Sequence, residues 1–403
     1  MLAAMSDSIN GLLPDSLAIH ADRAANETDA VVPPIWQTST FWADSDESFL
    51  EKATTPGCDH FYTRTGNPNQ TQAAMVVAAL EGAEAAVVAG SGMGAITSTI
   101  LAFAGAGDHV VAQQNLYAGT TSFLSGLATK LGIETTFVDQ RDPARIEAAI
   151  RPSTRLIVLE SPSNPLLRIT DLQAVSGIAR DRGIVTVADN TFATPVNQRP
   201  IEFGIDLVMH SATKYLGGHS DLIAGAVAGT RAYVDRVARV MSETGAILGP
   251  FEAWLLLRGM RSLPVRMERH NRNGLEVAQF LTGRAEVLAV HYPGLDEHPQ
   301  RELAGEQMSG FGGMVSAEFR GGLAAAARFV NSVRLARRAP SLGGVETLVT
   351  HPAAMWAKTL EPAQMAEMGI VHGLVRMSIG LEDARDIVAD FEQALELVAA
   401  AGE

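Results

Sequence analysis

Asp206-Leu207-Val208-Met209-His210-Ser211-Ala212-Thr213-Lys214-Tyr215-Leu216-Gly217-Gly218-His219 is the stretch around which this chain is organised. An apolar, strand-like run ends in hydroxyl residues, then one lysine, then a glycine pair. Lys214 follows apolar neighbours and meets no carboxylate in the next five residues. A lysine held out of water can lose its proton near neutral pH and attack an aldehyde. Ser211 and Thr213 stand three and one residues before it, where hydroxyls can hold a phosphate that arrives with that aldehyde. This pattern suits a Schiff-base lysine carrying pyridoxal phosphate (PLP). It also suits a surface lysine in a strand-to-loop turn.

Working outward, short apolar runs alternate with helical stretches. The expected strands are Ala85–Ala89, His109–Ala112, Thr135–Val138, Leu156–Leu159, Val185–Ala188, Leu207–His210 and Ile223–Ala228. Expected helices lie at Gln70–Glu81, Ser91–Ala104, Thr120–Leu131, Pro143–Ile150 and Asp171–Asp181. Alternation of this kind, with β-branched strands, predicts an α/β domain on a mostly parallel seven-stranded sheet. Ligands gather at the carboxyl ends of such strands. Beyond Gly249 two helices are expected around Pro264. Strands then follow at Val287–Tyr292, Met314–Phe319 and Leu374–Ile379, with helices at Leu323–Asn331 and Asp383–Ala401. The expected organisation is an N-terminal arm over residues 1–60, an α/β domain over 61–260 and a smaller α+β domain over 261–403. The arm carries Trp36, Phe41 and Trp42, which need burial on its own domain or on another subunit.

Several polar residues follow the strands directly. Val87 to Ala95 reads as strand, glycine turn and helix start, a place where backbone amides hold phosphate. Gly90, Gly92 and Ala95 also match the dinucleotide fingerprint, with Asp108 beyond, so a dinucleotide-dependent oxidoreductase is an alternative from a different class. Asp189 ends the run Val185-Thr186-Val187-Ala188. A buried carboxylate needs a charged partner, and a protonated pyridine nitrogen is one; a helix N-cap is the plainer role. Tyr117 follows the strand His109–Ala112 and can stack on a planar ring or fill a core. Arg376, inside Leu374–Ile379, can grip a substrate carboxylate with its fork or sit in a structural ion pair. Tyr62 and Arg64 form a candidate phosphate clamp at the end of the arm, or a polar loop.

The 403 residues are 47% hydrophobic and 19% charged, which suits a compact globular protein. A net charge of −14 speaks against nucleic acid and anionic membrane as partners. Cys58 is the single cysteine, so no intrachain disulfide and no cysteine zinc site can form, and no metal site is expected. No signal peptide is evident at Met1–Asn10, and no run reaches the ~20 apolar residues of a membrane span. The expected location is the cytoplasm.

Taken together, the motifs resemble one family. They are Tyr62-x-Arg64 with Asn67-Pro68, Ser91-Gly92-Met93, Tyr117-Ala118-Gly119-Thr120, Glu160-Ser161-Pro162-x-Asn164-Pro165, Asp189-Asn190-Thr191-Phe192, Ser211-x-Thr213-Lys214-Tyr215, Ser341-Leu342-Gly343-Gly344 and Arg376-x-Ser378-Ile379-Gly380. In this order they resemble the Cys/Met-metabolism PLP-dependent enzymes, the group of cystathionine γ-synthase, cystathionine γ-lyase, methionine γ-lyase and O-acylhomoserine sulfhydrylase. The resemblance implies the fold type I of PLP-dependent transferases, assembled as a homotetramer. It implies Lys214 as the Schiff-base lysine, Asp189 on the pyridine nitrogen and Tyr117 stacked on the ring as acid/base. Gly92, Met93, Ser211 and Thr213 would hold the phosphate, with Tyr62 and Arg64 reaching the neighbouring subunit's phosphate. Arg376, Ser341 and Asn164 would hold the α-carboxylate of a small amino-acid substrate. The implied activity is γ-elimination on a γ-substituted L-amino acid; γ-replacement on an O-acylhomoserine is the alternative. Three positions depart from the pattern. Gly119 stands where methionine γ-lyases of this type carry cysteine, Pro340 where members acting on cystathionine commonly carry glutamate, and Trp356-Ala357 where Thr-His is frequent.

Overall fold

The structure, a computed structural model, describes residues 11–356, 365, 366 and 368–400; Ala357 lies outside the described residues. The first sheet contains β1 (Ala85–Ala89), β2 (His109–Gln113), β3 (Glu134–Val138), β4 (Thr154–Glu160), β5 (Val185–Asp189), β6 (Leu207–His210) and β7 (Gly225–Gly229). Their order is β1-β7-β6-β5-β4-β2-β3. Pairing is parallel from β3 through β2, β4 and β5 to β6, and β7 is antiparallel to both β6 and β1. The sheet is therefore mixed, with one strand reversed.

Both faces of this sheet are covered. Val110, Ala112, Leu156, Val158, Val187, Leu207 and Met209 pack on one side with Ile96, Ile100 and Phe103 of the helix Gly92–Phe103. Their neighbours Val111, Ile157, Leu159 and Ala188 pack on the other with Leu172 and Val175. Burial on both faces is why these strands read as unbroken apolar runs and not as alternation. Each buried Val, Leu or Ile contributes roughly 1.5–3 kcal/mol.

Local chemistry accounts for the shifted boundaries. The helix expected from Gln70 starts at Pro68, because Asn67 caps it by accepting from the Asn69 N–H at 3.0 Å and proline suits the first turn. Gly82 ends it at φ 69°. β7 begins at Gly225, two residues later than expected, because Ala224 is bonded to Thr213 instead. Where a helix was expected over Thr120–Leu131, a short α-helix Ala118–Ser122 runs into a wider π-type segment, Phe123–Ala128.

A second sheet has the order β10-β11-β12-β9-β8, formed by β8 (Val287–His291), β9 (Met314–Phe319), β10 (Arg337–Arg338), β11 (Leu348–Thr350) and β12 (Leu374–Ser378). Val315, Ala317, Phe319, Val375 and Met377 pack with Phe329 and Phe391 from the helices Gly322–Ser332 and Ala384–Ala399. Successive strand residues face opposite ways. Ser316, Arg376 and Ser378 therefore turn toward the first sheet's side, where the Ser316 hydroxyl donates to the Pro165 carbonyl at 2.7 Å. No helix among the described residues is long and apolar enough to cross a membrane.

Candidate active site

The strands β2, β4, β5 and β6 deliver their carboxyl ends to one edge, and the candidate residues follow them. Lys214 lies not at the end of β6 but in the turn after it. Its N–H donates to the Ser211 carbonyl at 3.0 Å and its carbonyl accepts from Gly218 at 2.7 Å. The glycine pair has a packing reason. Gly218 has φ 74°, and a Cβ there would collide with the guanidinium of Arg266. Arg266, on the helix Leu263–Thr282, donates to the carbonyls of Tyr215 (2.7 Å), Leu216 (3.4 Å) and Gly259 (2.8 Å). Tyr215 is fully buried against His270. The lysine turn is thus bolted from beneath.

Lys214 Nζ donates to the Ser341 hydroxyl at 2.9 Å. Burial, followed by the nearby Arg376 charge, pushes its pKa down to about 8, and Asp189 opposes them. A substantial share of neutral amine therefore exists near pH 8. Ser341 holds φ 85°, a left-handed conformation uncommon outside glycine. In that conformation its carbonyl also accepts from Arg376 at 3.0 Å, so one residue touches both amine and guanidinium.

Arg376 is buried, 6% exposed, and its second donor meets Asn164 Oδ1 at 3.1 Å. No salt bridge to a carboxylate holds it among the described residues, so the structural ion pair considered above is not what keeps it there. Burial lowers its pKa to about 10. A buried cation with only neutral acceptors is ready for an anion.

Asp189 accepts from the Thr191 N–H at 2.9 Å and the Thr191 hydroxyl at 2.5 Å. Burial nonetheless raises its pKa; the Thr191 bonds and the charges of His210 and Lys214 work the other way. Beside it in the sheet stands Glu160, at register Glu160↔Asp189. Glu160 is 4% exposed and accepts from the N–H groups of Tyr117 (2.7 Å) and Asn164 (2.9 Å). Burial and the Asp189 charge raise its carboxyl well above the usual range.

Ser91 caps the helix Gly92–Phe103 by accepting from Gly94 at 2.9 Å. The N–H groups of Gly92 and Met93 precede the helical hydrogen-bond ladder and are free for an anion. A Cβ on Gly92 would stand 2.8 Å from Ser211 Cβ and Oγ, so this helix end abuts the Ser211 hydroxyl. Thr213 is engaged elsewhere: its hydroxyl donates to the Ala224 carbonyl at 3.1 Å and accepts from the Ala224 N–H at 3.0 Å. Donation to a phosphate requires that O–H to leave Ala224. The Tyr117 ring is half exposed and lies over Gly119. A Cβ there would come within 2.5 Å of Tyr117 Cε1 and 2.7 Å of Met93 Sδ.

Tyr62 and Arg64 are not brought to this cluster within the chain. Arg64 lies 5.6 Å from the Tyr62 ring centroid and donates to the Ser242 carbonyl and hydroxyl at 3.1 and 3.3 Å. Pro340 is exposed, while Trp356 packs with Leu166, Met365 and Met368 beside Ala118. Arg266 and the anchoring role of Glu160 were missed from sequence. The spacing Leu263, Arg266, Met267, His270 was the available signal for Arg266, since it sets a cation on a buried helical face.

These groups fit PLP: a partly neutral lysine, a helix end beside a serine hydroxyl for the phosphate, and a carboxylate for the pyridine nitrogen. The family described as Cys/Met metabolism PLP-dependent enzyme matches residues 15–396. The chain belongs to this family. It is similar to an L-methionine gamma-lyase of Treponema denticola, 45% identical over 385 residues, covering 94% of this chain and 96% of that one. A cystathionine gamma-lyase of Bacillus subtilis is 41% identical over 383 residues, covering 94% and 98%. Among solved structures, the crystal structure of metB from Corynebacterium glutamicum matches with a TM-score of 0.89 at 38% identity, over 96% of this chain and 98% of that one. The protein is a PLP-dependent enzyme, and the oxidoreductase alternative falls. The glycine turn has its own explanation. Its strand β1 lies at the sheet edge, pairs with antiparallel β7 and bridges from Ala89 to Ile247, and a Cβ on Gly90 would meet the Ile247 carbonyl at 2.6 Å.

Proposed function

We propose that this member of the family catalyses γ-elimination on a γ-substituted L-amino acid of the methionine, cystathionine or homoserine type, releasing a 2-oxo acid and ammonia. One observation carries the reading: Lys214 Nζ and the Arg376 guanidinium both bond to Ser341, one to its hydroxyl and one to its carbonyl. A substrate carboxylate held by Arg376 thereby has its Cα close to the amine. The relatives named as γ-lyases, at 41–45% identity, support elimination.

PLP, when bound, would supply an electron sink for Cα and Cβ of the substrate. The chain supplies the rest. Arg376, with Asn164 and Ser341, grips the carboxylate. Lys214 Nζ, lowered to about 8, takes protons at Cα and Cβ and returns them. Asp189 keeps the pyridine nitrogen protonated. The Tyr117 hydroxyl, at the half-exposed mouth, gives a proton to the departing γ-group. Gly92, Met93, Ser211 and Thr213 hold the phosphate, and Tyr62 and Arg64 complete it for a second subunit of a homotetramer. Support for that assembly comes from the arm, where Val31 is 98% and Trp42 82% exposed in the single chain.

The test is a panel of methionine, cystathionine, homocysteine and O-acylhomoserines, with 2-oxo acid and ammonia as readouts. Release without an added nucleophile is the expected result. Product formed only with an added thiol would replace this reading with γ-replacement.

A further inference from the structure

Directly behind the cofactor-facing residues lies a polar cluster with no solvent contact. Asn190 follows Asp189, and His210 precedes Ser211. Along extended chain neighbours face opposite ways, so while Asp189 and Ser211 face the site, Asn190 and His210 face away from it. Both meet the same carboxylate. Glu81 Oε1 accepts from Asn190 Nδ2 at 3.0 Å and lies 2.6 Å from His210 Nε2. Glu81, Asn190 and His210 are each 0% exposed. Glu81 is the last residue of the helix Pro68–Glu81, which packs on β1 and β7, so it reaches the ends of β5 and β6 from a separate element.

The cluster extends to a third strand end. Gln198 Nε2 donates to Asn190 Oδ1 at 3.0 Å and to the Ser161 carbonyl, just after Glu160, at 2.8 Å. Asn190 Nδ2 also donates to the Gln198 carbonyl at 2.8 Å. A carboxylate sealed from water needs donors, and His210 Nε2 meets Glu81 Oε1 beside Asn190 Nδ2. Among the described residues Glu81 Oε2 and His210 Nδ1 have no hydrogen-bond partner, so the compensation there rests on the contacts at Glu81 Oε1. The ionisable groups around His210 are Glu81 from the helix and Asp189 from β5, with Lys214 beyond on the turn after β6.

We propose that Glu81, Asn190 and His210 form a positioning device that helps lock the Asp189 strand end to the Ser211 turn from behind the site. The β5/β6 pairing and the Ser211 N–H bond to the Thr191 hydroxyl at 2.8 Å already join these ends in front, and the Glu81 carboxylate adds a second tie behind them that touches neither substrate nor cofactor. An Asp189 displaced from that place would hold the pyridine nitrogen protonated less well. This inference rests on the reading that Asp189 and Ser211 meet PLP.

The experiment compares wild type, Glu81→Gln and His210→Gln as purified holoenzymes. His210→Gln keeps an N–H donor toward Glu81 on a side chain of different shape and reach, so it carries the test if Glu81→Gln does not fold. Readouts are the PLP dissociation constant by equilibrium dialysis, the midpoint pH of the visible band of the lysine-bound cofactor, and the apoprotein melting temperature. The expected result is PLP binding weakened roughly tenfold, as for contacting groups in one network, with an upward-shifted band midpoint. The upward sign follows because a less protonated pyridine withdraws less from the imine nitrogen. A lowered apoprotein melting temperature with wild-type PLP affinity and wild-type midpoint would overturn the proposal and leave a merely structural cluster. Asp189→Asn serves as control: an unchanged midpoint in that variant would sink the underlying site reading, and this inference with it.

Discussion

Lys214 and Arg376 face each other across Ser341, yet they are held in opposite ways. Lys214 belongs to a turn closed by local backbone bonds, Lys214 to Ser211, Gly217 to Ala212 and Gly218 to Lys214, and braced by Arg266. Arg376 depends on segments 212 and 35 positions away, at Asn164 and Ser341. The amine half of the site is therefore a contiguous motif on one sheet. The carboxylate half exists only when the second sheet is packed on the first. Damage to the amine half should show in the chemical step, and damage to the carboxylate half in substrate affinity.

The largest expected effect tests the first part of that contrast. Lys214→Ala should lower kcat by about 1,000-fold or more through loss of nucleophile and base. Melting temperature should stay close to wild type; a wild-type rate in this variant would break the comparison outright. Next, Arg376→Ala should raise KM, lowering kcat/KM by about 10- to 100-fold, the scale of 1.5–3 kcal/mol for a hydrogen bond to a charged group. Arg376→Lys should recover only part, since an ammonium lacks the guanidinium fork. Steady-state kinetics that put the Arg376→Ala loss wholly in kcat would erase the division between the halves.

Glu160→Gln falls between the halves, because Glu160 accepts from Tyr117 on one side and Asn164 on the other. A glutamine amide turns one of those contacts into a donor facing a donor. About a tenfold loss of kcat/KM is expected, the scale of one buried hydrogen bond, with kcat and KM both moving. A change in only one would assign Glu160 to a single half. The smallest effect joins the halves electrostatically. Capture of PLP by the apoprotein needs neutral Lys214, so its rate should rise with pH through about 8. The Arg376 charge is the second contribution lowering that value, so Arg376→Ala should move the rising limb to higher pH. Stopped-flow absorbance across a pH series would show it, and an unmoved limb would mean the two groups are electrically independent.

Much of the fold was readable because β2, β4, β5, β6 and β7 are largely buried on both faces and appear as apolar runs. β10 and β11 escaped notice, being only two and three residues long. At the site, Asp189, Ser211 and Lys214 were readable because each breaks an apolar run with a polar or charged residue. Arg266, Glu160 and the Glu81–His210 pair were not, because their partners lie 51, 43 and 129 positions away.

By itself the sequence determined the strand–helix alternation, the lysine turn with its hydroxyls and glycine pair, and the family motifs that imply the cofactor. These depend on chemistry between near neighbours, which local order records. The tertiary structure alone decided that Ser341 joins Lys214 to Arg376, that Arg376 has neutral partners, and that Glu81 pins two strand ends. Those outcomes depend on which distant groups share a dry volume, and there each unpaired charge must find whatever partner the packing brings.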